Sequence, residues 1–458
     1  MNLIVKILKD YSDLVFSLLI ALFGIILFYP GSMTGDSIDQ WRQVLEPKTI
    51  GNWFPPTMVY LWSAVNRLSF GPQGILILHY LTYSLSIFFL GRTFFSNQRH
   101  QIYYLLIGIF PATFLITGII WKDVSMLVSI IMAISLLFLY EKNKNILLLF
   151  VSLIFFFYGL SVRHNAIFCS LPFFLYLFSI TIRFVSFYRV ASSIMLTLII
   201  TFILHLFIGY ISTYKIHPAF RYYNIENSIF IWDLWGMSVR LDENIIPDYV
   251  FQDEHKDLSV DFLTKNYKPH SNTVIWLHEY LNKDWRRKNF PDKQFKKDFI
   301  EAIWTYPNTY LKTRLDIMPY MLGIEKTSVY MPYLFHIQKF DESHYLYKYS
   351  SKLKTNNFWF KKQINKFANF LYKKTIIFDV WPYLTIGILQ FFYFMYDRRF
   401  KHSKRAILVL SVGFIYWLPY FFITTSSEFR YSVLTIFCTL ITLPLFLSAL
   451  LKKAKRIG

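Results

Sequence analysis

Long apolar runs recur along the whole chain and limit its architecture more than any other feature of the sequence. A run of about 18 or more apolar residues is long enough to cross a lipid bilayer as a helix. Within lipid, a helix satisfies all of its backbone hydrogen bonds inside one segment. The chain is 55% hydrophobic and 20% aromatic. We therefore predict an all-α polytopic membrane protein.

The apolar runs predict about ten transmembrane helices. In chain order they lie at residues 12–29, 75–91, 102–120, 124–140, 146–162, 164–182, 190–210, 376–396, 405–424 and 431–451. Residues 211–375, which we call the polar segment, separate an N-terminal transmembrane module, 1–210, from a C-terminal one, 376–458. The helical spacing of its Tyr and Trp residues predicts a mainly helical domain. Its one apolar stretch, Ser228 to Val239, is too short to span, and we expect it to rest on the membrane interface.

The net charge of +20 is concentrated in short loops on one side of the predicted spans. These loops contain Lys6, Lys9, Arg92, Arg99, Lys142, Lys144, Arg183, Arg189, the 397–405 loop and Lys452 to Arg456. Cytoplasmic loops of membrane proteins carry such an excess of Lys and Arg. The pattern predicts a multi-pass protein of the cell membrane with both termini cytoplasmic and the polar segment external. No nucleic-acid-binding motif is present, so we expect membrane lipids and phosphate-bearing ligands rather than nucleic acid.

Two carboxylates, Asp36 and Asp39, follow the first predicted span, at the start of the first external loop, 30–74. A carboxylate near the interface can act as a general base on a hydroxyl group, or help to hold a divalent cation such as Mg²⁺ or Mn²⁺. We predict Asp36 to be the catalytic carboxylate. Asp39 either belongs to the same site or caps a short interfacial helix predicted over Gln40 to Leu45.

Two very short external turns add further charged residues. Lys122 and Asp123 follow the third predicted span. Lys122 can bind phosphate or reach up to anchor the helix at the headgroups, and Asp123 can join Asp36 as a second catalytic acid. Arg163, His164 and Asn165 follow the fifth span. An Arg in this place suits bidentate recognition of phosphate. His164 can assist proton transfer or have a structural role, and Asn165 can hydrogen-bond a neighbour.

The last external turn contains Glu428, Arg430 and Tyr431, directly before the tenth predicted span. Arg430 either contacts lipid headgroups or supplies another cation for a lipid-linked phosphate, with Glu428 beside it as a further substrate-binding candidate. Because Lys122, Arg163 and Arg430 lie at separate external helix ends, their convergence would suit an anionic substrate at the membrane surface.

Taken together, these motifs resemble the GT-C superfamily of integral-membrane glycosyltransferases, and more closely its poorly characterised bacterial members with an Asp-Ser pair in the first loop. The similarity rests on Gly35-Asp36-Ser37, Phe54-Pro55-Pro56, Lys122-Asp123, Arg163-His164-Asn165 and Glu428 to Tyr431. It covers roughly the first 170 residues and the last 40, and the polar segment adds nothing to it.

The resemblance implies transfer of a sugar from a polyprenyl-phosphate-linked donor to an envelope glycan or lipid on the outer face. It assigns Asp36 to activate the acceptor hydroxyl, and Lys122, Arg163 and Arg430 to hold the departing phosphate. Many relatives have Asp-Glu where this chain has Asp36-Ser37, and His where it has Phe54. The requirement for a metal is therefore left open.

Two other classes remain possible from the residues alone. A transporter or flippase of lipid-linked saccharide would use the same cations as a headgroup site, and a scaffold of an envelope complex would use none of them. The sequence contains no Gly-rich phosphate loop, His-Glu-x-x-His zinc motif or nucleophile-elbow serine. These absences argue against an ATP-driven pump, a zinc protease and a hydrolase-type acyltransferase.

Overall fold

The computed structural model describes residues 11–68, 71–181, 187–214, 216–256, 258–356 and 358–457. Within these ranges the chain is predominantly helical and forms isolated β-bridges but no β-strand. The prediction of an all-helical chain is confirmed for this part of the molecule. Lys6, Lys9 and Arg183, which contributed to the predicted orientation, lie outside the described residues, as does the side chain of Arg189.

The N-terminal part of the chain forms a layered bundle of apolar helices. Its helices are α1 Ser12–Phe28, α2 Gly35–Leu45, α3 Thr57–Asn66, α4 Gln73–Phe94, α5 Gln98–Leu105, α6 Pro111–Thr117, α7 Lys122–Asn143, α8 Ile146–Ser161, α9 Ser170–Thr181 and α10 Phe187–Thr213. Short 3₁₀ turns at Leu106–Ile109 and His164–Cys169 lead into α6 and α9. Helix α7 lies at the centre and packs between α4 and α8, while α1 covers the other side of α4.

The polar segment folds into shorter helices. They are α11 Asn227–Leu241, α12 Val260–Asn266, α13 Asp292–Thr305, α14 Pro307–Asp316, α15 Met318–Met321, α16 Tyr347–Ser350 and α17 Trp359–Lys374. Single 3₁₀ turns lie at Pro218–Phe220, Asp248–Val250, Asp253–His255 and Thr273–Trp276. We predicted that the apolar stretch, which forms helix α11, rests on the membrane interface. It is instead the buried centre of the polar segment. Its Asp233 pairs at 2.5 Å with Arg314 of α14, and both side chains are fully buried.

The C-terminal helices complete the bundle. They are α18 Trp381–Tyr396, α19 Ser403–Trp417, α20 Tyr420–Ile423 and α21 Val433–Ile457, with a 3₁₀ turn at Phe429–Tyr431. Helix α21 packs against α18 and α19, and α9 also packs against α19. The Tyr104 hydroxyl in α5 donates a 2.9 Å hydrogen bond to the Ile441 carbonyl of α21. The first and last parts of the chain therefore share one core.

Six helical stretches of the described residues are long and apolar enough to cross a membrane. They are Gln73–Phe94, Lys122–Asn143, His164–Thr181, Val190–Thr213, Ser403–Ile423 and Val433–Lys453. A seventh is obtained if Gln98–Ile109 and Pro111–Thr117, which meet at 64°, count as one span. Helices α1, α8 and α18 have only 17, 16 and 16 residues. Each of the ten predicted spans contains a helix, but helix length supports six or seven of them.

The first loop differs from its prediction. Its helix begins at Gly35 rather than near Gln40. Trp41 is 6% exposed and packs against Trp62 of α3 with ring centroids 5.4 Å apart. A helix is present as predicted, and on its apolar side Trp41 and Val44 are buried within the protein, whereas Leu45 is 47% exposed.

Candidate functional site

The turn between α1 and α2 is held on both sides by backbone hydrogen bonds. Gly31 has a φ of +125°, and a Cβ there would lie 2.3 Å from the Ile120 side chain, so only glycine fits. Beyond it, the Ser32 amide donates to the Gly118 carbonyl at 3.0 Å. The Met33 amide donates to the His336 carbonyl at 3.2 Å. The turn is therefore fixed between the N-terminal bundle and the polar segment.

Side chains then fix the start of α2. The Trp121 indole donates a 2.8 Å hydrogen bond to the Thr34 hydroxyl, and the Gly35 amide donates to Oε1 of Gln338 at 2.9 Å. Asp36 occupies the first turn of α2, where the helix dipole favours a negative charge. Asp39 is one turn further on, so it does not cap the helix. It pairs with Arg42 at 2.9 Å and accepts a bond from Gln43.

Arg430 is the centre of the charged cluster. Its guanidinium donates to Oδ2 of Asp36 at 2.8 Å and to Oε1 of Glu428 at 2.9 Å. It also lies over the Trp121 ring, 4.8 Å from the centroid. The side chain of Arg430 is 9% exposed, whereas 38% of Asp36 is exposed. Arg430 thus holds the carboxylates of Asp36 and Glu428, and Asp36 remains accessible.

Asp123 lies beneath this pair and is fully buried. Its Oδ1 lies 3.2 Å from Nε of Arg163, and its Oδ2 lies 3.8 Å from Nε of Arg430. Arg163 also donates to the Tyr420 hydroxyl at 2.9 Å and lies 5.0 Å from the centre of the Tyr431 ring. Asp123 therefore fixes the relative position of two guanidinium groups and does not itself line the cavity described below.

The charged cluster opens into a cavity of about 960 Å³. Of the predicted site residues, Asp36, Lys122, Arg163, His164, Glu428 and Arg430 line it. Asn165 lines a smaller adjoining cavity of about 200 Å³, together with Lys122, Arg163 and His164. Asp39 and Asp123 line neither of these cavities. The structure thus brings together charges from four separate stretches of the chain.

Lys122 differs from the other cations of the site. Its side chain is 9% exposed, and its ammonium group contacts the Phe54 ring at 4.1 Å from the centroid. Among the described residues it has neither an ion pair nor a hydrogen bond. The side-chain nitrogen Nδ2 of Asn165 is likewise buried and has no hydrogen-bond partner among the described residues. Buried polar groups are normally paired, so both groups are free to bind a ligand.

The local charges set the ionisation of Asp36. Burial would raise the pKa of its carboxyl group, but the positive charges of Arg430 and Lys122, with a smaller contribution from Arg163, lower the pKa below its ordinary value. Asp36 is therefore an anion at neutral pH. Among the described residues, no three His, Cys, Asp or Glu side chains lie close enough together to hold a metal ion.

Sequence reasoning missed the opposite wall of the cavity. It is formed by Asn52, Trp53, Tyr222, Asn224, Glu226, Asn272 and Trp276, most of them from the polar segment. Only Asn52 and Trp53, directly before Phe54-Pro55-Pro56, lay near a recognised motif. No periodicity in the polar segment shows which of its many aromatic residues face a cavity.

No protein-family model matches this chain, and no curated protein matches it either. The fold and the site therefore define its class only broadly. It is an all-helical protein whose several long apolar helices are compatible with repeated passage through a membrane, and a charged cavity lies at one end of those helices.

Proposed function

We propose that the protein is a membrane glycosyltransferase that moves a sugar from a polyprenyl-phosphate-linked donor to an envelope glycan or lipid. The observation that carries the proposal is the unpaired ammonium group of Lys122. It is buried and lines the cavity together with Arg163 and Arg430, which are already paired. A cation in that setting is stabilised by an anionic ligand, and a phosphate group supplies the required charge and acceptor oxygens.

The general base of the reaction is the carboxylate of Asp36. Arg430 binds its Oδ2, while Oδ1 has no hydrogen-bond partner among the described residues. An acceptor hydroxyl bound at Oδ1 would lose its proton to this oxygen as its own oxygen attacks the anomeric carbon. The bond from that carbon to the phosphate oxygen breaks at the same time, and its electron pair stays on the phosphate. Lys122 and Arg163 stabilise the charge that develops there.

Asp123 receives a different role from the one predicted. Because it is fully buried and forms ion pairs with the two arginines of the cluster, we assign it to positioning and not to proton transfer. His164 and Asn165 line the phosphate end of the site, and Glu428 keeps Arg430 in place. Asp39 lies outside the site and stabilises α2.

The proposal includes an orientation in the cell membrane. The ten predicted spans would place the cavity and the polar segment outside the cell and both termini in the cytoplasm, where the Lys and Arg of the opposite loops belong. Four of the spans are then formed by α1, α8, α18 and the bent α5–α6 pair, which are short or broken. Cysteine accessibility in intact cells would test this, for instance at Lys48 and Lys401.

The transfer itself is tested with purified protein in lipid nanodiscs and a panel of polyprenyl-phosphate sugars carrying a radiolabel. Asp36→Asn should reduce transfer by about 10²–10⁴-fold, as expected for loss of one general base. It should leave binding of unglycosylated polyprenyl phosphate within about twofold, whereas Lys122→Met should weaken that binding. Asp397→Asn, in a loop distant from the cavity, serves as the matched control.

A transporter or flippase would give a different result. Such a protein would move a fluorescent lipid-linked saccharide between leaflets, and Asp36→Asn would still do so, with no change in the saccharide. Unchanged sugar transfer by Asp36→Asn would rule out its assignment as the base.

A further inference from the structure

The cavity lining contains two chemically different groups of side chains, which we call its charged end and its aromatic end. The charged end described above accounts for Asp36, Lys122, Arg163 and Arg430. The other end is lined by the aromatic side chains of Trp53, Tyr222 and Trp276, interleaved with the polar side chains of Asn224, Asn272 and Glu226. The two ends belong to one space, so a ligand of sufficient length can contact both.

The aromatic end is assembled from two distant parts of the chain. The ring of Trp53 meets those of Tyr222 and Trp276 edge-on, with centroids 5.8 and 5.5 Å apart. Next to it, the side-chain amide of Asn52 donates through Nδ2 to the backbone carbonyl of Tyr222 at 2.8 Å. Its Oδ1 accepts a hydrogen bond from the backbone N–H of Tyr222 at 2.7 Å. These contacts fix the first loop to the polar segment and hold Trp53 in place.

Arg286 lies among these rings. Its guanidinium carbon is 5.5 Å from the Trp53 centroid, 5.2 Å from that of Tyr222 and 5.8 Å from that of Trp276. It has no carboxylate partner among the described residues, so the ring faces provide the attraction. Because Arg286 already occupies this set of rings, the rings are not a cage for a cationic ligand. They form a rigid wall, fixed before a ligand arrives.

The polar groups beside this wall are available for bonding. The side-chain amides of Asn224 and Asn272 make no hydrogen bond in the part of the chain that the structure describes. Half-exposed Tyr222 and exposed Trp276 present apolar ring surface next to them. A ligand that fits must combine an apolar face with several hydroxyl groups at its edge, which is the chemistry of a pyranose ring. A purely apolar ligand would leave the amides unpaired.

We propose that Trp53, Tyr222 and Trp276 form the subsite for a pyranose ring of the acceptor saccharide, with Asn224 and Asn272 binding its hydroxyl groups. The inference rests on the proposed function, because it supplies the acceptor for the transfer at Asp36. It gives the polar segment a function: the segment selects the acceptor, and the transmembrane helices bind the lipid-linked donor.

The test uses the full-length chain in nanodiscs and an array of immobilised oligosaccharides containing hexoses, N-acetylhexosamines and uronic acids. Wild-type protein should bind a subset of these glycans. Trp53→Ala and Trp276→Ala should each weaken the binding at least tenfold, and Trp276→Phe should retain most of it. Trp359→Ala is the matched control, because this tryptophan is 79% exposed and lies outside the cavity.

The outcomes separate this inference from the proposed function. Asp397→Asn, which lies outside the cavity, should bind the array as the wild-type protein does. Where transfer can be measured, Trp276→Ala should raise the KM for the acceptor and leave kcat unchanged, whereas Trp276→Phe should have a KM close to that of the wild-type protein. Absence of glycan binding by the wild-type chain, or equal binding by Trp53→Ala and Trp276→Ala proteins that remain folded, would overturn the subsite. Absence of transfer by the wild-type protein would overturn the enzyme and leave the subsite standing, whereas unchanged transfer by Asp36→Asn would overturn only the role of Asp36 as the base.

Discussion

Replacement of Asp123 by Asn is the most informative perturbation of the charged cluster, because Asn has the same shape and lacks only the charge. The carboxylate is fully buried, 3.2 Å from Arg163 and 3.8 Å from Arg430. At an effective dielectric constant of about 20, these separations correspond to attractions of about 5 and about 4 kcal/mol before desolvation. Without the carboxylate, two buried guanidinium groups repel each other.

Breaking a buried ion pair costs about 3–5 kcal/mol net. In a chain of this size, with an entropy of unfolding of about 1 kcal/mol per kelvin, we expect that loss to lower the apparent Tm by roughly 3–5 °C. Asp36→Asn provides the comparison. Its side chain is 38% exposed, and Glu428 still pairs with Arg430 after the change. A partly exposed ion pair contributes about 1 kcal/mol or less, so we expect the apparent Tm to fall by roughly 1 °C or less.

The two variants are compared in the same detergent by thermal unfolding with a thiol-reactive dye, which reports exposure of the buried Cys169 and Cys438. Asp36→Asn should lose transfer and keep its stability, whereas Asp123→Asn should lose both. Should Asp123→Asn abolish transfer with an apparent Tm within about 1 °C of the wild-type value, the positioning role would be wrong. Asp123 would then act on the substrate itself.

Three further results are expected. Lys122→Met should weaken binding of polyprenyl phosphate by about tenfold or more, because a hydrogen bond to a charged group contributes about 1.5–3 kcal/mol, and Lys142→Met should have no effect in the same titration. The pKa of Asp36 is lowered, so this carboxylate stays ionised at any pH above its ordinary pKa of about 3.9, and its ion pair with Arg430 is lost only when the pH falls below that value. A profile of transfer rate against pH should therefore show no fall on the acid side from this group between about pH 5 and 8. Arg314→Met should destabilise the polar segment by about 3–5 kcal/mol, because it leaves Asp233 buried without its partner, and limited proteolysis should then cut within that segment.

The apolar runs were the part of the molecule that the sequence specified best. Their length and spacing are local properties, and each predicted span contains a helix. The bend within residues 98–117 was not expected, although Pro111 stands at its centre, because an apolar run alone does not show where its axis turns. Helix α2 was placed too late because its start depends on Thr34 and Ser37, whose amide-to-hydroxyl bond of 3.4 Å is a weak local signal.

The charged residues were predictable for a different reason. Polar groups at the ends of apolar helices are confined to a thin layer, so Lys122, Arg163 and Arg430 could only meet near one surface. Their individual partners were not predictable. Nothing in the sequence shows that Asp123 points inward while Asp36 points into the cavity, since that depends on how α2 and α7 pack.

The polar segment gave the least information before its structure was known. Asp233 in an apolar stretch suggested a helix at an interface, yet Arg314, from a different helix, neutralises it inside the core. The aromatic wall is equally hidden, because Trp53 and Trp276 are distant in sequence and meet only through the fold. Contacts of this kind require coordinates.

The bond between Asp36 and Arg430 joins positions 394 residues apart. While the chain is being synthesised, the acid is inserted near the beginning and its guanidinium partner almost at the end. A nascent chain that has emerged only as far as α19 contains Asp36 and Lys122 but lacks Arg430. Under the proposed function we therefore expect products truncated before Arg430 to be inactive in transfer, because the cation that holds Asp36 is missing.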